Sequence, residues 1–540
     1  MSSPSALDVD CLAAGLVPGL AAELLAGRHH DLLAPLRFLA PGEAPHGEPP
    51  RRDRRELVAA LGTANAAYGH PRAAELAARL ADPATRVVAT GQQTGLLGGP
   101  LLGYVKAAAA VRWAEALEAR GEPAVAIFWM ATEDHDFAEV ASATFLGPDG
   151  PVVLGLGDDP QPLAPVGMRT LGGRAEAVLA ELAELYPRPW AAAWRARLGV
   201  WWRPEARFGE AFARQLVGTL GARAPLVVDA MLPELKRAEA PYLARLVERR
   251  RELGEALAAR ERALRARGFH LQIAPQPGAS PLFLLRHGER RRIEWRPRER
   301  FALRGDDEPR PVDELLATLA GNPAVVSPGA LARPALQDAV FGTFLQVMGP
   351  AELAYLGQAA AAYETLELAA PWTSLRPSAL VLGRHDRERL AALGIELAAL
   401  LADPDEVERR LGERVGGDFV APAREAIAAR VAALAAPALA LDGGLARPHT
   451  KTARTVDRAL ARFAAKAARA AARRDEVTRE RFTRLLAATR PGGAPQERVL
   501  AAAHFSLRYG DGFGAALLDG LALDPRRLSV VDPEPAAVLG

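Results

Sequence analysis

The chain has a single cysteine, Cys11, in 540 residues, so no internal disulfide can form. That argues against the disulfide-stapled secreted class and fits a reducing cytoplasm. Cys11 lies far from the chemistry-bearing stretches and is expected to be a small structural thiol, not a nucleophile. No apolar run reaches about 18 residues, the least that spans a bilayer as a helix. A basic-then-apolar leader is also missing, so no membrane partner is expected. Net charge is only +2, which calls for no nucleic-acid partner. Lysine is scarce: of 67 basic residues, only Lys106, Lys236, Lys451 and Lys466 are lysine. The arginine and alanine bias reflects coding pressure. A lysine kept against that bias is a candidate for a task suited to a compact ammonium and not to a guanidinium fork. His29, His30 and His46 have no metal-like partners at readable spacing, and no structural metal is expected.

What is present is ordinary for a soluble globular protein, with 49% hydrophobic and 24% charged residues. The length exceeds one simple core and implies two or three domains. The most informative stretch runs from Arg86 to Glu139. A β-branched run, Arg86 to Thr90, leads into a Gly- and Gln-rich turn, Gly91 to Gly99. Pro100 follows, where a missing N–H costs a helix nothing. A helical stretch runs to about Arg120 and is ended by Gly121 and Pro123. The apolar run Ala124 to Met130 reads as a buried strand that ends in Glu133, Asp134, His135 and Asp136.

Strand, turn, helix, strand is a βαβ unit with parallel strands. Both loops that follow its strands then lie at one carboxyl edge of the sheet, where open α/β sheets bind ligands. Gly91, Gln92, Gln93, Gly98 and Gly99 offer backbone N–H groups and a helix N-terminus to a phosphate or carboxylate. Glu133 to Asp136 offer carboxylates and an imidazole for an amine, a metal or proton transfer. Taken singly, the turn can be a tight turn and the acidic run a solvated loop. Their arrival on one edge favours a site. Lys106 sits about two turns into the helix, as a solvated residue or a site cation.

Further along, Ala224 to Ala230 reads as the next strand, with Asp229 at its end as a site residue or a helix cap. Ala240 to Arg267 is a charged helix. Pro281 to Trp295 reads as a hairpin turning at His287-Gly288, with Arg290 to Arg292 on an exposed face. Arg333 and Gln337 are four apart and share a helix face. Arg333 is either a clamp for a carboxylate or phosphate or a buried structural residue. Arg498 and Tyr509 offer a charge and a stacking face to a nucleotide. Ala453 to Thr489 lacks Gly and Pro, and Val456, Leu460, Phe463 and Ala467 follow coiled-coil spacing.

These motifs resemble the bacillithiol-biosynthesis cysteine-adding enzymes. The resemblance rests on Gly91-Gln92-Gln93, Gly99-Pro100, Lys106, Phe128-Trp129 and Glu133-Asp134-His135-Asp136. It continues in Arg333-Pro334, Gln337-Asp338, Gly349-Pro350, Glu352 and Tyr355, then in Pro495-Gln496-Glu497-Arg498 and Tyr509-Gly510. Two positions depart: Gly329 stands where the family pattern has Asn, and Gly342 where it has Pro. The expected fold is an α/β, Rossmann-like parallel-sheet core with inserted segments and a C-terminal α-helical coiled-coil domain. The expected limits are a mostly helical 1–85, a core 86–385 with insertions near 161–202 and 240–322, a helical 386–490, and a segment 491–540 docking back on the core.

The resemblance implies a homodimer through the coiled coil. It also implies addition of cysteine to the amine of glucosaminyl-malate, the last step of bacillithiol synthesis. A carboxylate does not condense with an amine in water unactivated, so ATP with Mg²⁺ is expected. Such a site needs phosphate-binding N–H groups, a cation and a base. The Gly91 to Gly99 loop, Lys106 or Arg333, and His135 with Asp134 or Asp136 as orienter are the candidates. Glu133 can instead hold the amino group of cysteine. A nucleotidyltransferase on another small acid, a hydrolase with a metal on Asp134, His135 and Asp136, and a coiled-coil binding protein with an idle core remain the alternatives.

Overall fold

The computed structural model describes residues 7–306, 308–416 and 419–534. The outermost residues of the expected 1–85 and 491–540 segments lie outside the described residues. The chain forms two compact units: Asp10–Val381 with Ala494–Gly540, and Leu382–Gly493 with Met1–Val9.

The larger unit is built on six strands: β1 (Arg37–Phe38), β2 (Arg86–Gln92), β3 (Ala124–Met130), β4 (Leu226–Asp229), β5 (Thr343–Met348) and β6 (Trp372–Leu375). Their order is β1-β6-β5-β2-β3-β4 and every pairing is parallel. Alternate residues of β2 and β3 face opposite cores. Val88, Ala126, Phe128 and Met130 belong to one core, while Val87, Ala89, Val125, Ile127 and Trp129 belong to the other. Covering both faces explains why these strands read as continuous apolar runs.

Helix α1 (Leu102–Glu118) crosses from β2 to β3 and is buried along most of its length, including the run Ala107 to Ala110. It starts two residues later than the sequence suggests. Pro100 lies before it and forms an isolated bridge with Ala501. Three further helices matter for the site: α2 (Pro233–Glu248), α3 (Arg333–Phe341) and α4 (Pro350–Leu366).

A second, antiparallel sheet carries the hairpin of Ala279–Arg286 and Glu289–Arg296. Its turn is His287-Gly288, with φ of 52° and 81°, the two left-handed residues that a tight hairpin requires. The strand Val326–Pro328 pairs with the first arm. The chain after Ala494 returns to this unit. Ser529–Val531 pairs in parallel with Ala379–Val381, and the Gln496 side chain bonds both the N–H and the carbonyl of Val381 at 2.9 Å.

The elements described in the smaller unit are helices, from Arg384–Leu393 to Glu476–Thr489. Its longest helix, Ala446–Arg474, is tied to Ala421–Ala433 by the Arg424–Asp457 ion pair at 2.7 Å. On the expected seam, Val456, Leu460 and Ala467 are half-buried and Phe463 is exposed. Phe463 stands edge-on to Phe419, with ring centroids 6.4 Å apart.

Candidate active site

The chain runs outward from β2 through β3 to β4, then returns to the other side of β2 to lay down β5 and β6. The gap between β2 and β5 is therefore the switch point at which open α/β sheets form their crevice. A cavity of about 920 Å³ opens there. Gly91, Gln92 and Gln93 border it from the end of β2, and Gly349, Pro350 and Glu352 from the end of β5. Phe283, Arg290 and Arg292 of the hairpin border it as well. Gly91 is required by close packing. A Cβ there would lie 2.6 Å from the carbonyl oxygen of Trp129, its partner on β3.

One wall is cationic. Lys106 is 1% exposed. Its Nζ donates to Glu352 Oε2 at 2.6 Å and to Gln92 Oε1 at 3.2 Å, and it also meets the Gly91 carbonyl. Burial pushes this ammonium down, and Glu352 pulls against that shift. Arg333 donates to Gln337 Oε1 at 3.2 Å and to the Tyr355 hydroxyl at 3.3 Å. No carboxylate pairs with it among the described residues. Buried Arg376 is held by Glu497 at 2.6 Å. Arg498 is exposed on the same wall. The first turn of α4 adds its N-terminal dipole.

The other wall carries Asp134, His135, Asp136 and Glu139. Gln93 Nε2 donates to Asp134 Oδ2 at 2.8 Å, joining the loops that follow β2 and β3. The Gln93 Oε1 atom is buried and has no partner among the described residues, so it is an acceptor waiting for a ligand N–H or O–H. Asp136 caps the short helix Phe137–Val140 through Glu139 N. Partial desolvation at the cavity wall, together with Asp136 and Asp134, pushes the Glu139 carboxyl up to about 6, although the residue stays open to solvent.

Arg290 reaches into this wall from the hairpin. It is 4% exposed, so the exposed arginine face expected for Arg290 to Arg292 is overturned at its first residue. Four acceptors and an aromatic face draw it inward. Its guanidinium donates to Asp134 Oδ1 at 3.0 Å, Ser327 Oγ at 2.9 Å and the Pro328 carbonyl at 2.8 Å. It also lies 3.2 Å from His135 Nδ1 and 3.8 Å above the Phe283 ring. Behind the wall, buried Glu133 meets Lys236, and Lys236 Nζ donates to Glu239 Oε2 at 2.9 Å. Burial pulls Lys236 down, but Glu133 and Glu239 outweigh it and the ammonium ends raised.

The expected residues thus divide. Gly91, Gln92, Gln93, Lys106, Glu133, Asp134, His135, Asp136, Arg333 and Arg498 all border the cavity. Gly98 and Gly99 do not. They are buried in the protein, and a Cβ on Gly98 would strike Gln215, Tyr104 and Ala502. The Gly99 carbonyl accepts from Ala502 N, so their loop seats the returning C-terminal segment rather than a ligand. Gln337 is buried behind Arg333, with its amide donating to Asp338 at 3.2 Å. Tyr509 packs against the main core and stands apart from the cavity. Asp229 accepts from Thr132 and Met231 N as a turn residue. Lys106 is no solvated helix lysine, because the Gly91 carbonyl and Glu352 draw it in.

The two departures sit differently. Gly329 borders the cavity. Gly342 ends α3 with φ of +59°, and a Cβ there would lie 2.2 Å from the Pro50 carbonyl oxygen. Proline, whose φ is fixed near −65°, does not fit this backbone.

The sequence reading missed Glu139, Arg290 and Lys236. For Lys236 a signal existed, its scarcity. For Arg290 it was the period of two that sets Arg290 and Arg292 on one strand face.

Comparison with known proteins agrees with this architecture. Residues 43–377 match the N-terminal Rossmann-like domain of the bacillithiol biosynthesis protein BshC, and residues 379–523 its C-terminal coiled-coil domain. A protein of Solibacter usitatus named "Putative cysteine ligase BshC" is 30% identical over 489 residues, covering 87% of this chain and 88% of that one. The same name belongs to a Koribacter versatilis protein, 29% identical over 88% of this chain and 89% of its own. It also belongs to a Thermus thermophilus protein, 33% identical over 78% of this chain and 84% of its own. A Mycobacterium tuberculosis methionyl-tRNA synthetase structure aligns over 83% of this chain and 99% of its own at 12% identity, with a TM-score of 0.22. By its parallel Rossmann-like core, its helical coiled-coil domain and these matches along most of its length, the chain belongs to the BshC family of bacillithiol-biosynthesis cysteine ligases.

Proposed function

We propose that the cavity joins the carboxylate of L-cysteine to the amine of glucosaminyl-malate, forming the amide of bacillithiol. ATP with Mg²⁺ serves as the activating donor. The observation that carries this reading is a charge division in one cavity at the switch point. Arg333, Arg498 and Lys106 line it with the first turn of α4, and Asp134, Asp136 and Glu139 line it as well.

The cationic wall suits phosphates and carboxylates. Arg333 has no carboxylate partner among the described residues and can take an anion bidentately. Gly98 and Gly99 are turned to the C-terminal segment and Gly349 N is taken by Glu352 Oε2 at 2.7 Å, so phosphate binding falls to the side chains of Arg333 and Arg498. Mg²⁺ would arrive on the nucleotide phosphates, as it usually does, rather than in a protein cage. The acidic wall suits the ammonium of the amino sugar. In the bond-forming step the amine nitrogen attacks the activated cysteine carbonyl. Its proton goes to a wall carboxylate, and the activating group leaves with the former carboxylate oxygen. Glu139, poised near neutrality, fits the proton acceptor. Buried Gln93 Oε1 supplies an acceptor that orients a substrate N–H or O–H.

The helical unit exposes large apolar residues: Phe419 is 65%, Leu434 60%, Leu441 84% and Phe463 56% exposed. A second copy covering them gives a homodimer through this unit.

The test is a mass-spectrometric assay of the purified protein with ATP, Mg²⁺, cysteine and glucosaminyl-malate. The expected product is one cysteine heavier, less one water, with AMP or ADP beside it. Untouched substrates and nucleotide would overturn the reading.

A further inference from the structure

We propose that Arg290 fixes His135 as a neutral imidazole with its proton on Nε2, so that His135 serves the cavity as a hydrogen-bond donor and not as its base. The catalytic half of this proposal rests on the ligase reading above. The tautomer itself does not.

The argument begins with what a guanidinium can do. It has five N–H donors and no acceptor, and it stays charged in proteins. Any group facing it must accept. Arg290 cannot swing aside to relax this demand. Its Nε is spent on Ser327 Oγ at 2.9 Å, its Nη2 on the Pro328 carbonyl at 2.8 Å, and its Nη1 on Asp134 Oδ1 at 3.0 Å. Its plane is backed by the Phe283 ring, 3.8 Å from the Cζ atom. Three separate segments of the chain therefore hold the fork. Nη1 then lies 3.2 Å from His135 Nδ1. A proton on Nδ1 would point at an N–H that carries positive charge. The nitrogen must be a bare acceptor, which leaves the single proton of a neutral ring on Nε2.

One competing arrangement exists. Asp134 Oδ1 lies 3.6 Å from Nδ1 and would favour a proton there. That distance is outside hydrogen-bond range. The same oxygen already accepts from His135 N at 2.9 Å and from Arg290. The charged groups around the ring are Arg290 and Arg169, which oppose a second proton, and Asp134 and Asp136, which favour one. Burial acts first against the charged form, Arg290 adds to it, and the imidazole is held below its ordinary range.

The chemical consequence is a division of labour. Nε2–H has no hydrogen-bond partner among the described residues, and His135 borders the cavity. A neutral donor there can bond the carbonyl oxygen of the activated acid as negative charge develops on it. It cannot take the amine proton, since its only lone pair is occupied. Proton removal falls to a carboxylate of the same wall.

The experiment is a long-range ¹H–¹⁵N correlation spectrum of the full chain labelled at histidine, without substrates. A His135→Gln variant identifies the resonances. The expected pattern is a neutral Nε2–H ring at pH 7 that stays neutral as the pH falls to 6. In Arg290→Ala, Asp134 and Asp136 are opposed only by burial and Arg169, and the imidazolium fraction of His135 at pH 6 is expected to rise above that of the wild type. Arg290→Lys, which keeps a donor, is expected to restore the neutral Nε2–H form. A wild-type ring carrying its proton on Nδ1, or doubly protonated at pH 7, would overturn the proposal whatever the fate of the ligase reading. In the ligation assay, His135→Gln keeps a donor and should retain the rise of rate near pH 6. Loss of that rise would overturn the division of labour alone.

Discussion

Lys106 Nζ and Glu352 Oε2 lie 2.6 Å apart across the switch point, although 246 residues separate them in sequence. The pair ties the crossover helix of β2 and β3 to the first turn of the helix that follows β5. Removing one member of such a pair leaves a charge stranded, which costs roughly 3–5 kcal/mol when it is buried. Lys106→Met should fall toward the lower figure, because the Glu352 side chain keeps 18% of its exposure. The urea midpoint reports it. Lys106→Arg should not recover ligation, since a fork cannot repeat the ammonium's contacts with Gly91, Gln92 and Glu352.

Arg333 borders the cavity without a carboxylate partner among the described residues, so its loss should appear in substrate binding. A hydrogen bond to a charged group is worth about 1.5–3 kcal/mol. Arg333→Ala should therefore raise the KM of one anionic substrate about ten- to a hundredfold. Initial rates with each substrate varied in turn identify which one. Unchanged KM values for all of them would place the anion elsewhere.

Glu139 sets a pH dependence. Its carboxyl is pushed up to about 6, and only the deprotonated form accepts a proton. Ligation should rise as pH climbs through about 6. Glu139→Gln should flatten that limb and lower the rate by about a hundred- to ten-thousandfold. A limb that survives the substitution would assign the base to another group.

His504 makes a separate prediction about stability. It is buried, its Nδ1 meets the Tyr186 hydroxyl at 2.5 Å, and burial with Arg508 pulls the ring down to about 3. The folded pKa is depressed for a base. Below the ordinary imidazole range the unfolded chain therefore binds a proton that the folded chain refuses. This contribution is full near pH 7 and is lost as pH falls toward about 3, at up to about 1.4 kcal/mol per pH unit. Denaturant midpoints at several pH values should show a slope that is one proton smaller in His504→Gln.

The exposed aromatic pair Phe419 and Phe463 tests the assembly. Replacing both by glutamate should turn a dimer into a monomer in sedimentation. A dimer that persists would remove the helical unit from the interface.

The βαβ unit was legible because its two periods, the apolar strands and the alanine-rich helix, are local. Its sheet edge followed from chain direction alone. What stayed hidden came from far along the chain. Arg290 looked solvated among neighbouring arginines because nothing local announces the acceptors Asp134, Ser327 and Pro328. Gly98 and Gly99 looked like a phosphate cradle because Ala502, which occupies their concavity, lies some four hundred residues on. Lys236 was visible as a rare residue, but its partners were not, since Glu133 reaches it only once β3 and α2 are packed. Periodicity tells which side chains share a face. It does not tell what covers that face.

The two hydrogen bonds between Gln496 and Val381 bear on how the chain is put together. They pin the end of the strand Ala379–Val381 to the start of the helix Gln496–Val499, between which residues 382–493 leave and return. To the α/β unit, that stretch is a long excursion from one neck. Closing a long loop costs only slightly more entropy than closing a short one, so such a neck can tolerate large changes in what it carries. A chain with the excursion replaced by a few glycines should still bring Arg498 to the cavity wall. The neck also imposes an order on synthesis. Arg376 waits for Glu497, and the cavity gains its last cation only after the whole helical excursion has left the ribosome.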